Sequence, residues 1–294
     1  IIGFLKSVRY SLSKIKPTRC IIVFDGKDGS KKRQKIYPDY KGQRRVKRGF
    51  NRNVDWATSP LDEEQSIKMQ LGRLVKYLEQ LPVSILNIDG CEADDVIAYI
   101  VTAIYPKSTN IIMSTDKDFL QLINKNVKIW SPTKKVLYDE DRLFEEYGIP
   151  AKNLLTYKIL DGDKSDNIDG IRGAGAKTIV KYIPPIAEDK RFGIKDLFNF
   201  IKKADKKIKV LENIRNNYSL LKRNYVLMQL SDVDISNNIK LKIQNSVHSK
   251  IPQLIKYKFS TMFIQDKLWS HIPNMDSWIK EFIRLDRFRG LDGK

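Results

Sequence analysis

Short continuous apolar runs and helically spaced apolar residues alternate over the first half of the chain. The runs, which are typical of buried strands, occupy residues 20–24, 83–88, 111–113 and 127–130. A helix is predicted from Pro60 to about residue 81, because one of its faces would carry Ile67, Leu71, Leu74, Val75 and Leu78. Further helices are predicted over 1–15, over about 92–105 and after Asp118. This alternation predicts an α/β fold with a mainly parallel central sheet flanked by helices.

Strand signals fade in the second half of the chain. Residues 130–138 are predicted to form a hairpin around Pro132 and Thr133, and the chain beyond about residue 139 is predicted to be largely helical. A Gly-rich segment at 170–175 interrupts the helical pattern. We therefore expect an α/β core over 1–138, a helical region over 139–235, and a C-terminal helical extension over 236–294 to which the sequence assigns no role.

The composition favours a folded protein of a reducing compartment. Of 294 residues, 41% are hydrophobic and 10% aromatic, which is typical of a globular chain. The aliphatic runs are too short to span a bilayer, and the basic, interrupted start does not have the pattern of a signal peptide. Two cysteines, Cys20 and Cys91, are too few for a disulfide framework or a zinc site. We expect a cytoplasmic monomer that contacts no membrane, in the host cytoplasm if a phage encodes it.

The charge points to a polyanionic partner. Fifty-four basic and 35 acidic residues give a formal net charge of +19. Nucleic acid, an anionic membrane surface and simple solubility are all compatible with such an excess. Its distribution favours nucleic acid, because between residues 26 and 54 only Asp28 and Asp39 oppose a dense basic run: Lys27, Lys31, Lys32, Arg33, Lys35, Lys41, Arg44, Arg45, Lys47, Arg48 and Arg52.

Acidic residues follow three of the predicted strands, and a fourth acidic group lies in the loop at 162–167. In open α/β sheets, sites form beyond the carboxyl ends of the strands. Any single one of these acids is readily explained as a helix N-cap or first-turn residue. Together they would repel one another unless cations were bound. The groups are Asp25; Glu92, Asp94 and Asp95; Asp116 and Asp118; and Asp163 and Asp166.

The donor set indicates which cation such a site would prefer. The chain has two histidines, His248 and His271, and both lie far downstream of these acids. Oxygen ligands without imidazole or paired thiolate suit Mg²⁺ or Mn²⁺ and disfavour zinc. Several carboxylates are able to hold two ions, the arrangement that activates water and stabilises the leaving oxygen in phosphodiester cleavage.

Five short acidic or basic motifs follow one another along the chain. They are IVFDG at 22–26, YKGQR at 40–44, EADD at 92–95, STDKD at 114–118 and GDKSDN at 162–167. In this order they resemble the motifs of the flap endonuclease and 5′-3′ exonuclease family. The similarity covers about residues 8–230 and extends to phage 5′-nucleases, the phage ribonuclease H branch and the 5′-nuclease domain of bacterial DNA polymerase I. It implies a PIN-like 5′-nuclease fold, a basic helical arch over about 26–56 and a helix-hairpin-helix element over about 163–183.

The resemblance also implies roles for individual residues. Asp25, Glu92 and Asp94 would form the first metal site with Asp95 close by, and the second would comprise Asp116, Asp118, Asp163 and Asp166. Lys41 and Arg44 would contact the scissile phosphate. DNA contacts are expected at Tyr40, Arg45, Lys47 and Arg48. Stacking on unpaired bases, with ordinary packing as the alternative, is expected for Tyr37, Tyr40, Phe50 and Trp56.

The Gly-rich segment has two readings. It superficially suggests a P-loop, but Ala176 precedes Lys177 where that motif requires glycine, and no predicted strand leads into it. A helix-hairpin-helix fits better, because its glycines would let the backbone approach a phosphate. The expected DNA-binding residues there are Gly173, Gly175, Lys177 and Thr178. The corresponding element of the family also binds K⁺, and a simple structural turn is the alternative.

One departure from the family pattern leaves the function open to two readings. The family has an N-terminal strand that ends in a metal-binding aspartate, and the sequence shows no such strand before the helix expected over 1–15. Either the chain is a fragment or that ligand is absent. The leading hypothesis is a two-metal nuclease for branched, nicked or RNA-primed DNA in replication, with a single-strand-binding protein as a candidate partner. The alternatives are a non-catalytic DNA-binding homologue and a ribonuclease of the related small nuclease fold.

Overall fold

The computed structural model describes residues 1–42, 60–204 and 207–290, and these separate into two units. Within the described residues, the first unit holds 1–24, 60–87 and 241–290, and the second holds 25–42, 88–204 and 207–240. The strands are β1 (Ile21–Phe24), β2 (Ser84–Asn87), β3 (Asn110–Met113), β4 (Val127–Ser131) and β5 (Val136–Tyr138).

Helices are the main secondary structure of the residues that the structure describes. They are α1 (Ile2–Ile15), α2 (Lys31–Ile36), α3 (Pro60–Leu78), α4 (Ala93–Tyr99), α5 (Glu140–Tyr147), α6 (Ala151–Asp161), α7 (Ala176–Tyr182), α8 (Ile194–Lys203), α9 (Lys209–Asn216), α10 (Tyr218–Met228), α11 (Asn237–His248), α12 (Lys256–Gln265) and α13 (Met275–Asp286). Short 3₁₀ helices occupy Lys117–Leu122, Pro184–Ala187 and Trp269–His271. None of the helices described is both long and apolar enough to cross a bilayer.

The first unit is built on a parallel strand pair and an aromatic core. Strand β1 pairs with β2 from Ile21 opposite Ser84 to Phe24 opposite Asn87. Apolar residues of α1, α3, α12 and α13 pack together in one cluster that includes Leu5, Leu78, Phe259, Trp278 and Phe282. The ring of Trp278 is stacked on Phe259 at 5.3 Å between centroids. Burial of these large side chains is the main favourable term for this unit.

A partly exposed ion pair joins α3 to the C-terminal end of α12. The guanidinium of Arg73 donates to both carboxylate oxygens of Asp266, at 2.7 and 3.0 Å, and the Tyr77 hydroxyl donates to the same carboxylate at 2.7 Å. Bidentate geometry restricts the orientation of both side chains. The C-terminal residues, for which the sequence suggested no role, thus complete the core of the first unit.

The second unit contains the other sheet and the predicted helical region. Strand β3 pairs in parallel with β4, and β4 pairs antiparallel with β5 from Ile129 opposite Tyr138 to Ser131 opposite Val136. Helix α6 packs on the 3₁₀ helix Lys117–Leu122 and on α10. The buried amide of Asn224 on α10 donates to the Asp169 carbonyl at 2.7 Å and to that of Ile159 at 3.0 Å. These bonds satisfy backbone carbonyls where α6 leads into the loop at 162–175.

The elements confirm most of the sequence-based predictions, with two differences. The α/β class, the hairpin and the largely helical second half are confirmed. In place of one central sheet, the described strands form two small sheets, one in each unit. Backbone hydrogen bonds link β1 to β2 in the first sheet and β3 to β4 in the second. The helix predicted over about 92–105 is α-helical only through Tyr99 and continues as a π-helical turn over Ile100–Ile104.

Gly26 lets two loops of the second unit lie against each other. A Cβ atom at residue 26 would stand 1.8 Å from the Ile88 carbonyl oxygen, well inside van der Waals contact. The Gly26 amide donates to the Cys91 carbonyl at 3.1 Å, and the Gly90 amide donates to that of Lys27 at 2.7 Å. The segment after β1 is therefore fixed against the segment that precedes α4.

We expect Gly26→Ala to lower the free energy of unfolding by roughly 2 to 4 kcal/mol, because the clash is with backbone that has no rotamer to change. Gly72→Ala is the control. Residue 72 lies within α3, and a Cβ there would meet nothing within 4 Å. Alanine should stabilise that helix by up to about 1 kcal/mol. Denaturant unfolding of both variants decides the point, and equal stability of the two would contradict the close approach.

Candidate metal centre

The start of α4 collects the first group of carboxylates. Asp25 follows β1, and its Oδ1 accepts a hydrogen bond from the Ala93 amide at 2.8 Å. Glu92 is the N-cap residue of α4, and Asp94 and Asp95 lie in its first turn. Negative charge is favoured at this end of a helix, where amide groups lack partners within the helix. The local sequence therefore brings all four acids to one helix terminus.

Three of these carboxylates converge. One oxygen from each of Glu92, Asp94 and Asp95 lies within 4.8 Å of the others, and within the described ranges these three form the acidic cluster with metal-binding geometry. Glu92 is 2% exposed, and the side chain of Asp94 is 19% exposed. The pKa of Asp94 is raised to about 7, mainly by loss of hydration and further by the charges of Asp95 and Glu92, while Arg33 lowers it.

Arg33 on α2 supplies the cluster with a buried counter-charge. Its guanidinium donates to Asp95 through two bonds of 2.8 Å, to Oε2 of Glu92, and to the Leu227 carbonyl at 2.9 Å. The Oδ2 atom of Asp94 lies 3.9 Å from Nη2 of Arg33. Burial lowers the pKa of Arg33, but the Asp95 hydrogen bonds and the three carboxylates raise it overall. Arg33 is thus a fixed cation that spaces and orients three acids.

Tyr40 and Lys41 join the first acidic group to the loop at 162–167. The Tyr40 hydroxyl lies 3.3 Å from Glu92 Oε2 and 3.1 Å from Asp166 Oδ2, and its hydrogen can be donated to either. The Lys41 ammonium forms an ion pair with Oε1 of Glu92. Its backbone amide donates to the Asp166 carbonyl at 2.9 Å. Glu92 and Asp166 therefore share one hydrogen-bonded network.

The second acidic group is organised around a buried lysine. Asp116 caps the 3₁₀ helix, with Oδ1 accepting from the Asp118 amide at 2.8 Å. The Lys158 ammonium is paired with Asp118 and lies 3.6 Å from Asp163 Oδ2. Burial raises the pKa of Asp118 to about 6, although Lys158 lowers it. Asp163 also loses hydration, but bonds from Ser165 and the Lys158 charge bring its pKa below the usual value.

Some predicted DNA contacts lie outside the described residues, and for two aromatic residues the structure favours ordinary packing, the alternative to base stacking. Arg44, Arg45, Lys47, Arg48, Phe50 and Trp56 belong to the segment 43–59, which is not described. The base-stacking role predicted for Tyr40 does not fit a residue that is 2% exposed. The ring of Tyr37 is covered by the Arg223 guanidinium, 4.1 Å from its centroid.

The Gly-rich segment forms an exposed turn before α7. Gly173 has φ +86°, a conformation that suits glycine, and Gly175 is the N-cap residue of α7. A Cβ at residue 173 or at residue 175 would meet nothing within 4 Å. Lys177 is exposed and Thr178 is half-buried. The turn therefore leaves space beside the backbone, as the helix-hairpin-helix prediction requires.

Sequence reasoning gave no role to Arg33 or Lys158. Arg33 lies within a basic run, and nothing in the local pattern separates it from its exposed neighbours Lys31 and Lys32. Lys158 offered a signal, because it interrupts the apolar residues of α6 directly before an acidic loop. A lysine in such a position is buried at high cost unless it has an anionic partner.

The donor set fits a hard divalent cation. Glu92, Asp94 and Asp95 offer only oxygen, and Asp25 adds another carboxylate at the same helix terminus. Clusters of this type in α/β proteins hold the metal ions of phosphodiester-cleaving enzymes.

Comparisons with known proteins also point to enzymes that cleave phosphodiester bonds. Residues 1–148 match the model of the 5′-3′ exonuclease N-terminal resolvase-like domain. The chain is 30% identical to a 5′-3′ exonuclease of Aquifex aeolicus over 80% of its own length and 68% of that protein. It is 29% identical to the flap endonuclease Xni of Shewanella pealeana, over 76% and 78% of the two chains.

A solved structure shares the fold. The bacteriophage T5 flap endonuclease, determined with DNA and metal ions, aligns with a TM-score of 0.63 at 21% identity over 90% of this chain and 89% of that one. The chain belongs to the flap endonuclease and 5′-3′ exonuclease family.

The burial of Asp94 predicts a pH-dependent stability in the absence of divalent metal. Because its folded pKa of about 7 lies above the ordinary 3.8, ionisation of Asp94 opposes folding. The penalty is largest above pH 7 and shrinks as the pH falls toward 3.8. We expect Asp94→Asn to raise the free energy of unfolding at pH 8 by roughly 1 to 3 kcal/mol, with a smaller gain at pH 5.

Asp95→Asn serves as the matched control, because it weakens the bidentate pair with Arg33. It should lower the stability at both pH values. Chemical denaturation in EDTA measures these differences. A stability loss for Asp94→Asn at pH 8 would show that the Arg33 attraction outweighs the loss of hydration.

Proposed function

We propose that this protein is a divalent-metal-dependent, structure-specific 5′-nuclease that hydrolyses phosphodiester bonds in branched, nicked or RNA-primed DNA. The observation that carries the proposal is the convergence of Glu92, Asp94 and Asp95 in a chain of this family. The hydrogen bonds of the Tyr40 hydroxyl with Glu92 and Asp166 support the inclusion of one further carboxylate, that of Asp166. A protein that only bound DNA would gain nothing from acids facing phosphate.

Mg²⁺ or Mn²⁺ ions would be held in two groups of carboxylates. Glu92, Asp94 and Asp95, with Asp25 beside them, would hold one ion, and a second would be held by Asp116, Asp118, Asp163 and Asp166. When bound, such ions lower the pKa of water and neutralise charge on a phosphate. Arg33 keeps the Asp95 carboxylate in place, and Lys158 keeps Asp118 and Asp163 close together.

Lys41 and Arg44 are proposed to act on the scissile phosphate. Lys41 is already held at the cluster by Glu92 and by its backbone bond to Asp166. A cation at this position would stabilise the charge that develops on phosphate oxygens during cleavage. Arg44 follows three residues later in the same motif.

Duplex DNA would be bound at the turn before α7 and along the basic segment. The proposed contacts are Gly173, Gly175, Lys177 and Thr178 at the turn, where K⁺ is a further proposed ligand, and Arg45, Lys47 and Arg48 in the segment. Nicked and RNA-primed duplexes arise in replication, so we place the activity there. We further propose that the protein acts as a cytoplasmic monomer, with a single-strand-binding protein as its partner on the substrate.

Asp116→Asn should reduce Mg²⁺-dependent cleavage at least ~100-fold and leave DNA affinity within about twofold, because one ligand charge is lost and the basic surface is kept. Asparagine retains the capping oxygen. Asp139→Asn is a matched control, since Asp139 caps α5 through the Arg142 amide at 3.1 Å and lies outside the acidic groups. Single-turnover cleavage of an end-labelled flap measures both. Undiminished cleavage by Asp116→Asn, or wild-type cleavage in EDTA, would refute the metal mechanism.

Gly175→Val should weaken duplex binding by about tenfold, because a branched side chain would stand between the backbone and a phosphate. Single-stranded DNA should be affected less. The folded state should tolerate the change, since space is open at residue 175. Gly290→Val, at another open position, provides the control. Fluorescence anisotropy with both DNA forms is the measurement, and an equal loss on both would remove the turn from the duplex interface.

A further inference from the structure

Both carboxylate oxygens of Glu92 face cations of the protein itself. Oε2 accepts from Arg33, and Oε1 is paired with Lys41. The side chain of Glu92 is 3% exposed, so water does little to screen these pairs. A metal ion that approaches Glu92 therefore competes with a cation at each carboxylate oxygen.

The two cations are held very differently. Arg33 is 8% exposed and is anchored by Asp95 and the Leu227 carbonyl as well as by Glu92. Within the part of the chain that the structure describes, the Lys41 ammonium contacts Glu92 and the face of the Tyr40 ring, 5.0 Å from the centroid. Loss of Lys41 from the cluster breaks one ion pair, whereas loss of Arg33 would break several hydrogen bonds in a buried site.

Repulsion between like charges also bears on Lys41. A divalent ion at Glu92 would stand beside the Lys41 ammonium group in a poorly hydrated site, where like charges repel strongly. The same repulsion acts on Arg33, but the bonds to Asp95 and to the Leu227 carbonyl hold that guanidinium in place.

We propose that Lys41 is an exchangeable counter-ion of the metal centre. Its ammonium group neutralises Glu92 while the divalent cation is absent, and metal binding displaces it from Glu92. The freed ammonium group then becomes available to a substrate phosphate, while Arg33 remains as the permanent counter-charge. This inference rests on the proposed function, because it takes the cluster to be a metal site. It adds that binding of the metal and release of the Lys41 ammonium group from Glu92 occur together.

Metal affinity tests the exchange without any measurement of catalysis. Removal of a competing cation should tighten Mn²⁺ binding, so we expect Lys41→Gln to lower the Mn²⁺ dissociation constant by about tenfold. Lys41→Arg, which retains the positive charge, should stay closer to wild type. Lys152→Gln removes the same charge at Lys152, which is paired with Asp189 outside the cluster, and should change little. Titration calorimetry gives the constants, with circular dichroism to confirm folding.

The outcomes separate this inference from the proposed function. Unchanged or weaker Mn²⁺ binding by folded Lys41→Gln overturns the exchange and leaves the proposed nuclease intact. Absence of Mn²⁺ binding by the wild-type protein overturns both.

Chemical labelling gives a second, independent readout on the wild-type protein. The Lys41 side chain is 17% exposed in its ion pair, whereas that of Lys152 is 40% exposed. Addition of Mg²⁺ should increase the rate at which an amine-reactive reagent modifies Lys41, relative to Lys152, as quantified by mass spectrometry. Unchanged or greater protection of Lys41 with Mg²⁺ would show that the metal does not displace it.

Discussion

Compensation of buried negative charge is the constraint on which the site depends. Carboxylates that have lost hydration repel one another, and in the folded chain basic side chains lie among them and offset this repulsion. Arg33 serves the group at the start of α4, and Lys158 serves Asp118 and Asp163. These cations make the acidic groups tolerable in the absence of metal, and they also define where a divalent ion must compete.

Close backbone contacts at two glycines fix the positions of the segments that carry the acidic residues. The close approach of Gly26 to the Ile88 carbonyl and the amide bond from Gly26 to Cys91 hold the residue after β1 beside the start of α4. Gly170 plays a similar part, since a Cβ there would stand 2.1 Å from the Asp161 carbonyl oxygen. The segment that carries Asp25 and the acidic loop at 162–167 are thus positioned by close backbone approaches that only glycine allows, and small errors in that spacing would alter metal affinity.

The elements were largely predictable from sequence, and the network among them was not. Local apolar patterns located the four parallel strands and α3 to within a few residues, because burial enforces those periods. The pairing of strands into two sheets depends on long-range contacts that no local pattern encodes. Tyr40 illustrates the same limit: its place among basic residues suggested a DNA contact, whereas its hydroxyl lies between Glu92 and Asp166. Arg33 was indistinguishable from exposed neighbours for the same reason.

We infer that the carboxylates at the start of α4 form a divalent-metal centre. Anomalous diffraction from crystals of this protein soaked in Mn²⁺ would locate the ion without reference to activity. We expect a peak in contact with Glu92 and at least one of Asp94 and Asp95. Crystals that show no Mn²⁺ at these residues, with the Lys41–Glu92 pair still in place under saturating Mn²⁺, would contradict it.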